Sequence, residues 1–320
     1  MGLKQEVLTL LEENREHYVS GQEIANQLSF SRTAVWKAIK ALKEDGYEIE
    51  AISNKGYRLS QNCDCLSKEG IYCYLSEENR NIPIEVYQQI DSTNTKAKKE
   101  AMNGARHGTI ILAEEQTAGR GRLGRSFYSP KGTGIYMSLV LRPQLHLSQS
   151  MYVTTSVAVA ICRVIERLTK HQPKIKWVND IYLDSKKICG ILTEALTDFE
   201  SGQVQAIILG IGLNVSTQDF PLELQSLATS LNPEALTRNQ ICAALLDEIL
   251  SLKDSLTTPD LLEEYKARSN VLGKWVTFTK NNKTYEALAV DIDVEGRLIV
   301  QLKEGKEMLL NSGEISVRGI

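Results

Sequence analysis

The densest group of residues that could do chemistry is an arginine- and glycine-rich segment. Residues 119–125 read Gly-Arg-Gly-Arg-Leu-Gly-Arg. Arginine binds carboxylate and phosphate oxygens through paired hydrogen bonds, and glycine lets the backbone approach a ligand closely. The segment therefore predicts a cationic loop that closes over an anion such as a phosphate. Contact with nucleic acid, or a plain solvated loop, also fits this composition.

The same segment matches G-x-G-x-x-G, but its surroundings exclude a dinucleotide site. That motif must run from a strand into a helix, with an acidic residue about 20 positions further on. Here Pro130 and Gly132 follow closely, and no acidic residue stands at that distance. The phosphate-binding motif G-x-x-x-x-G-K-[ST] occurs nowhere in the chain. Neither of these nucleotide-binding folds is therefore indicated.

Four further segments place polar or charged residues beside apolar runs. They are Asp91–Thr95, Lys176–Asp180, Lys186–Glu194 and Gly210–Val215. Taken in order with the arginine loop, they resemble the motifs of biotin protein ligases. The whole chain resembles the bifunctional members of that family, which also repress biotin operons. Lipoate ligases share the catalytic fold, but the N-terminal region and the G-R-G-R loop favour biotin.

The resemblance implies a two-step reaction. Biotin and ATP form biotinyl-5′-AMP and pyrophosphate, and the biotinyl group then passes to a lysine of a biotin carboxyl carrier domain, of acetyl-CoA or pyruvate carboxylase. Biotin's carboxylate is already an ionised nucleophile, so the first step needs no base. It needs fixed cations that bring the carboxylate and the α-phosphate together in a dry pocket.

The resemblance also implies the site residues. The catalytic group is Lys187, Arg122 and Asp180; Asp180 is the candidate that assists the acceptor amine and holds Mg²⁺ with ATP. The implied biotin-binding residues are Ser92, Thr93, Asn94, Gln116, Arg120, Gly121, Arg122, Lys187 and Gly190. The implied ATP-binding residues are Arg122, Arg125, Phe127, Asn179, Asp180, Lys187 and Asn214.

Structural roles remain open for several of these residues. Asp180 could cap a turn, Asn214 could end a strand, and Ser92 and Asn94 could cap the helix that follows them. Phe127 departs from the family, in which a tryptophan commonly stands there and stacks on the ligand. A phenyl ring still packs, but it lacks the indole N–H donor. Cys189 is expected to be buried and inert.

The first 60 residues predict a winged helix-turn-helix. Ser20 and Glu23 form a capping box, Ser31 caps a third helix, and residues 48–52 and 56–59 form a hairpin. The outer face of the third helix is basic, as a helix in the major groove requires. A solvated face on a protein-interaction module is the alternative. The predicted DNA-binding residues are Arg32, Thr33, Trp36, Lys37, Lys40 and Lys55, with Arg58 able to reach a neighbouring backbone.

The remaining patterns predict an α+β multidomain protein. Domain boundaries are expected at 1–65 for the winged helix, 66–268 for an α/β catalytic domain with a mixed sheet, and 269–320 for a small C-terminal β-domain. The resemblance implies that this last domain is an SH3-like barrel, which ends in the segment 312–318. Helices are predicted at 94–102, 151–168 and 237–256, and from Pro259 to about Ala267.

Composition narrows the class of protein further. The 320 residues carry a net charge of −3, so no overall basic field draws the chain onto nucleic acid. The longest apolar run, residues 206–213, is far shorter than a membrane span, and no signal peptide precedes the chain. Six cysteines without a C-x-x-C pair, and four scattered histidines, predict neither a disulfide scaffold nor a zinc site. We expect a soluble cytoplasmic protein.

Two functional hypotheses follow. In the first, the chain is a ligase that also represses transcription, and binding of biotinyl-AMP pairs two copies of it on operator DNA. In the second, it is a biotin- or nucleotide-sensing repressor that no longer catalyses. The cations of the arginine loop, with Lys187 and Asp180, favour the first, because a sensor would have no need of groups that serve adenylation.

Overall fold

The computed structural model describes residues 2–143, 149–197, 203–280, 283–311 and 315–317. The chain divides into two compact units. The first comprises residues 1–81 together with 235–247, and the second comprises residues 82–234 together with 248–320. The domain boundaries at 65/66 and 268/269 remain predictions. No helix in the described part of the chain is long and apolar enough to cross a membrane.

The first unit begins with three helices and a hairpin. Their bounds are α1 Leu3–Glu13, α2 Gly21–Leu28, α3 Arg32–Glu44, β1 Ile49–Ile52 and β2 Gly56–Leu59. The two strands are antiparallel. Both predicted caps are confirmed, since Ser20 Oγ accepts from Glu23 N and Ser31 Oγ accepts from Ala34 N, each at 3.1 Å. The apolar faces meet in a core whose centre is fully buried at Val7, Leu11, Ile24, Val35 and Leu59.

The rest of the first unit consists of the segment that follows β2 and of the start of a helix much later in the chain. It contains α4 (Lys68–Tyr74), which the sequence analysis missed, and the first residues of α7 (Arg238–Ser251). The Asp64 carboxylate accepts from Arg238 N at 2.6 Å and from its Nε at 3.1 Å. The Arg238 side chain is only 2% exposed. The Asp64 side chain is half-buried, and the pair fixes the linker to the helix N-terminus.

The second unit is built on a seven-stranded mixed sheet, as predicted. The strand order is β3-β4-β5-β9-β8-β7-β6, and β3–β4 is the only parallel pair among the described strands. The bounds are β3 Ile84–Tyr87, β4 Thr109–Ala113, β5 Gly134–Leu141, β6 Lys174–Lys176, β7 Asp180–Leu183, β8 Lys186–Thr197 and β9 Val204–Asn214.

Helices α5 (Thr93–Met102), α6 (Ser150–Leu168) and α8 (Leu262–Ala267) complete this unit. Two predicted helix bounds were wrong. The helix predicted for 237–256 ends at Ser251, because Lys253 has a φ of +41°, which an α-helix cannot accommodate. The helix predicted from Pro259 begins at Leu262, because a turn in which Leu262 N donates to Pro259 O comes first.

The C-terminal β-domain belongs to the second unit. Its five strands form an antiparallel sheet in the order β13-β12-β11-β10-β14. Their bounds are β10 Trp275–Lys280, β11 Lys283–Ile292, β12 Leu298–Leu302, β13 Glu307–Leu310 and β14 Ile315–Val317. Residues 312–314 and 318 of the predicted terminal segment lie outside the described residues. Trp177 Nε1 donates to Gly296 O at 2.9 Å and so ties this domain to the mixed sheet.

Candidate active site

Glycines on the central strands open the floor of the site. The register of β8 and β9 places Gly190 opposite Gly212, and Leu192 opposite Gly210. A Cβ on Gly210 would lie 2.1 Å from Asn94 Oδ1, and one on Gly212 would lie 2.6 Å from the Phe127 ring. These glycines therefore let α5 and the arginine loop approach the sheet directly.

A first cavity of about 450 Å³ lies on this floor. It brings together all nine residues predicted to bind biotin, which come from the start of α5, the segment after β4, the arginine loop and β8. Phe127, Met137, Asn179 and Ile191 also line it. The cavity thus combines apolar walls with a few converging polar groups, which is the usual character of a small-molecule site.

The polar groups at the start of α5 are held in place by hydrogen bonds. Ser92 Oγ accepts from Thr95 N at 3.4 Å, so Ser92 caps the helix and lines the cavity at the same time. Gln116 Oε1 accepts from Thr93 N at 2.8 Å. Asn94 does not serve as a cap; its side-chain amide contacts Ser138 and Glu194 instead.

Lys187 and Asp180 meet across a bulge between β7 and β8. The register pairs Asp180 with Gly190 and then shifts, so that Lys187 lies opposite Tyr182. Lys187 Nζ lies 2.7 Å from Asp180 Oδ1, as an ion pair without hydrogen-bonding geometry, and Oδ1 is buried without a hydrogen bond. Burial and the Asp180 charge raise the pKa of the Tyr182 phenol to about 12.

Two of the three loop arginines contact residues of the mixed sheet or of the turn between β6 and β7. Arg122 Nη1 donates to Asn179 Oδ1 at 2.9 Å, and Asn179 Nδ2 donates to Ile191 O at 2.7 Å. Arg120 Nη1 lies 3.7 Å from Glu194 Oε1. Within the loop, Gly121 N donates to Arg125 O at 2.7 Å. The loop is therefore a defined turn that presents guanidinium groups to the cavity.

A second cavity of about 1460 Å³ adjoins the first and shares Arg122, Phe127, Asn179 and Lys187 with it. It brings together all seven residues predicted to bind ATP. Lys176, Tyr128 and Phe220 also line it. Asn214 is 5% exposed, and its Nδ2 donates to Thr229 O at 3.1 Å, which fixes the segment that follows β9.

Cys189 is buried beside this pair of cavities, as expected. Burial raises the pKa of its thiol well above the usual range, despite the nearby Lys187 ammonium group. The thiol therefore stays protonated and unreactive.

Two residues that contact the site were missed by the sequence analysis. Ser138 on β5 is fully buried and contacts Thr93 and Asn94. Glu194 on β8 contacts Asn94 and Arg120. The sequence contains no signal for either role, because the contacts join segments that are far apart along the chain.

The outer face of α3 is exposed in the first unit. All five residues predicted on this helix face solvent, with Trp36 54% exposed, and Lys55 is exposed in the hairpin turn. Lys40 Nζ lies 5.9 Å from the Trp36 ring centroid. Arg58 does not extend from the hairpin as expected; its Nη2 donates to Glu50 at 2.9 Å.

Comparisons with known proteins agree with this arrangement of domains. Residues 86–214 match the biotin/lipoate A/B protein ligase family, residues 4–58 match an HTH domain, and residues 271–318 match the biotin protein ligase C-terminal domain. The chain is 37% identical over 313 residues to the bifunctional ligase/repressor BirA of Bacillus subtilis, which covers 95% of both chains. It is 28% identical to the BirA protein of Escherichia coli, over 93% of this chain and 92% of the other.

The fold is similar to that of a biotin protein ligase from Aquifex aeolicus solved with biotin and ATP. The TM-score is 0.62 and the identity 26%, over 74% of this chain and 98% of the other. Fold and domains together define an enzyme of the biotin protein ligase class. The chain belongs to the biotin protein ligase family, and its HTH domain and full-length similarity to BirA match it to the bifunctional ligase/repressors within that family.

Proposed function

We propose that the chain adenylates biotin with ATP and transfers the biotinyl group to a lysine of a biotin carboxyl carrier domain. The observation that carries the proposal is the pair of adjoining cavities, which share Arg122, Asn179 and Lys187. A carboxylate bound in the first and an α-phosphate bound in the second would meet at these shared residues. The biotin- and ATP-bound Aquifex relative supports the assignment of the two substrates.

Lys187 is proposed as the central cation of adenylation. Two anions repel each other unless fixed positive charges lie between them, and such charges act most strongly where water is excluded. The Lys187 ammonium group reaches the boundary between the cavities, and Arg122 is held beside it by Asn179. Arg125 extends the positive charge towards the remaining phosphates.

Asp180 is proposed to help the acceptor lysine lose its proton in the second step. Its carboxylate lines the second cavity and already contacts an ammonium group, that of Lys187, which both cavities share. The side chain of an incoming acceptor lysine would present the same kind of group, an ammonium, to this carboxylate. The position therefore suits a proton acceptor at the transfer step.

Asp180 would also hold Mg²⁺ that arrives with ATP. Its Oδ1 is buried and forms no hydrogen bond, although it lies 2.7 Å from Lys187 Nζ, so Mg²⁺ would share this carboxylate with that ammonium group. The described residues contain no group of three His, Cys, Asp or Glu side chains placed to hold a metal. That fits Mg²⁺, which is often bound by one or two carboxylates together with substrate phosphates. The ion would neutralise charge on the leaving pyrophosphate.

The HTH domain is proposed to repress biotin genes by binding operator DNA as a dimer. The exposed basic face of α3 and Lys55 support binding to DNA. Beyond Ile191, the described part of β8 has a strand partner on one side only, which is β9. A second copy could add its own edge there after biotinyl-AMP binds, and two recognition helices would then suit a two-fold operator.

Transfer of labelled biotin to a purified carrier domain tests the ligase. We expect label on the carrier only when ATP and Mg²⁺ are present, and a loss of on the order of 100-fold or more with Lys187→Ala, because one fixed charge at a reacting centre contributes several kcal/mol. The exposed Lys303 in the C-terminal domain provides the control, as Lys303→Ala. Biotin binding without transfer or release of pyrophosphate would identify a sensor instead.

A further inference from the structure

The turn between β6 and β7 supplies the residue that holds Arg122. Asn179 Oδ1 accepts from Arg122 Nη1 at 2.9 Å. The rest of Asn179 is fixed to β8, since its Nδ2 donates to Ile191 O at 2.7 Å and its O accepts from Ile191 N at 2.9 Å. The direction of the Arg122 guanidinium group therefore depends on the shape of this turn.

A tyrosine from α8 fixes the same turn through a second hydrogen bond. Tyr265 Oη donates at 3.0 Å to Val178 O, one residue before Asn179. Tyr265 is 1% exposed and Val178 is 2% exposed, so water does not compete for this bond. Burial raises the pKa of the Tyr265 phenol well above its usual range, and the hydroxyl therefore keeps its proton and remains a donor.

Helix α8 is itself attached to the mixed-sheet domain at two places. Arg163 Nε of α6 donates to Glu264 Oε1 at 3.1 Å. Ile175 N donates to Arg268 O, and Asn270 N donates to Ile175 O, each at 2.9 Å, so the segment after α8 pairs with β6. The tyrosine of α8 is therefore carried on a fixed support.

We propose that Tyr265 is a positioning residue for adenylation, which acts on Arg122 through Val178 and Asn179. The inference rests on the proposed function, in which Arg122 lies where the biotin carboxylate meets the α-phosphate. A cation at that point accelerates the reaction only if it is held in place beforehand, and a displacement of about 1 Å can cost on the order of 100-fold in rate. Tyr265 is not among the described residues that line either cavity, so its effect passes through the turn.

Tyr265→Phe tests this role because it removes the hydroxyl and keeps the ring. Val178 O is then buried without that donor, so we expect the turn to shift and Asn179 to hold Arg122 less firmly. The rate of biotinyl-AMP formation in a single turnover, at saturating biotin and ATP with Mg²⁺ and without an acceptor, should fall about tenfold. The substrate concentrations that give half the maximal rate should change by less than about threefold, because every residue that lines the cavities is still present.

A double-mutant cycle with Asn179→Ala separates positioning from a merely structural role. Asn179→Ala removes the bond to Arg122, so a residue that acts through that bond has nothing left to transmit. In this background Tyr265→Phe should change the rate by less than about twofold. Its effect on the thermal unfolding midpoint, a loss of about 3 °C, should be the same in both backgrounds.

Ser156→Ala is the matched control. Ser156 is 1% exposed, and its hydroxyl donates to Ser255 O at 2.9 Å, so this variant also loses one buried bond from a hydroxyl to a backbone carbonyl. Ser156 is not among the described residues that line either cavity. Its unfolding midpoint should fall by a similar amount, and its adenylation rate should be unchanged. All rates are measured well below the lowest midpoint, so that every variant is folded in the assay.

The outcomes separate this inference from the proposed function. If Tyr265→Phe forms biotinyl-AMP at the wild-type rate, or slows it equally with and without Asn179→Ala, the positioning role is refuted and the ligase proposal stands. If the wild-type protein itself forms no biotinyl-AMP from biotin and ATP, the proposed function is refuted, and this inference with it.

Discussion

At the scale of single residues, Phe127 stands at the boundary between the two cavities. Its ring lies against Gly212, its centroid is 5.9 Å from Lys187 Nζ, and it meets the Tyr136 ring edge-on at 6.4 Å. A phenyl ring therefore fills the boundary between the two cavities without an indole N–H.

Phe127→Ala should release biotinyl-AMP faster. The substitution removes an apolar wall that both cavities share, so we expect the dissociation rate to rise on the order of tenfold. Release of labelled adenylate into a chase of unlabelled biotin and ATP measures this rate. The dissociation rate of a Phe127→Leu variant should lie between those of the wild type and Phe127→Ala. An unchanged rate in Phe127→Ala would show that the ring does not cover the ligand.

At the scale of elements, the linker after β2 is held to the start of α7 by an ion pair between the half-buried Asp64 and the buried Arg238. Asp64 accepts twice from Arg238, and Asn239 Nδ2 donates to Cys65 O at 3.0 Å. A buried guanidinium group that loses its carboxylate keeps its desolvation cost without compensation. The pair therefore positions two segments that are distant in sequence, although ion pairs in general contribute little to stability.

Asp64→Ala should lower the free energy of unfolding by about 1–2 kcal/mol, since it removes two hydrogen bonds to a buried guanidinium-bearing residue but leaves the bond from Arg238 to the backbone oxygen of residue 64. Urea denaturation of the full chain, followed by the signal of the HTH unit, measures the change. The exposed pair Lys4–Asp45 in the same unit provides the comparison, and Asp45→Ala should cost less than about 1 kcal/mol. Equal losses from the two variants would contradict the role of burial.

At the scale of the whole molecule, the net charge of −3 opposes DNA binding, so binding must come from a local surface. The surface that we propose is the outer face of α3 with the hairpin turn, where the predicted residues are exposed. The pairing of Arg58 with Glu50 removes one cation from the expected set. Lys40 and Lys55 remain as candidates for contact with phosphates on either side of the recognition helix.

Lys40→Ala and Lys55→Ala should each weaken DNA binding and reduce the salt dependence. One phosphate contact contributes a slope of about one in the plot of log affinity against log salt concentration, whatever the base sequence. The slope is measured by titrating an operator duplex, and separately a random duplex, with the biotinyl-AMP-bound protein at several salt concentrations from low to moderate. A lysine whose removal leaves the slope unchanged does not contact a phosphate; Lys303→Ala is the control.

Local chemistry explains which parts of this structure were predictable. The caps at Ser20 and Ser31, the apolar face of α3 and the alternating strands are read from neighbouring residues, because helix and strand periods act over a few positions. The lost turns of α7 and α8 followed from backbone conformations at Lys253 and Pro259 that propensity does not specify. The short helix α4 has too few residues to show a period.

By itself, the sequence determined the class of protein, the order of its domains and the types of residue at the active site, because these depend on composition, motif order and short-range periodicity. Only the tertiary structure decided which of those residues meet. The register of β8 against β9 puts Gly190 opposite Gly212, which lets Phe127 reach the sheet, and puts Gly210 where Asn94 approaches it. Glu194 and Ser138 joined the site through contacts across four separate segments, and distances between distant segments arise from packing rather than from any local pattern.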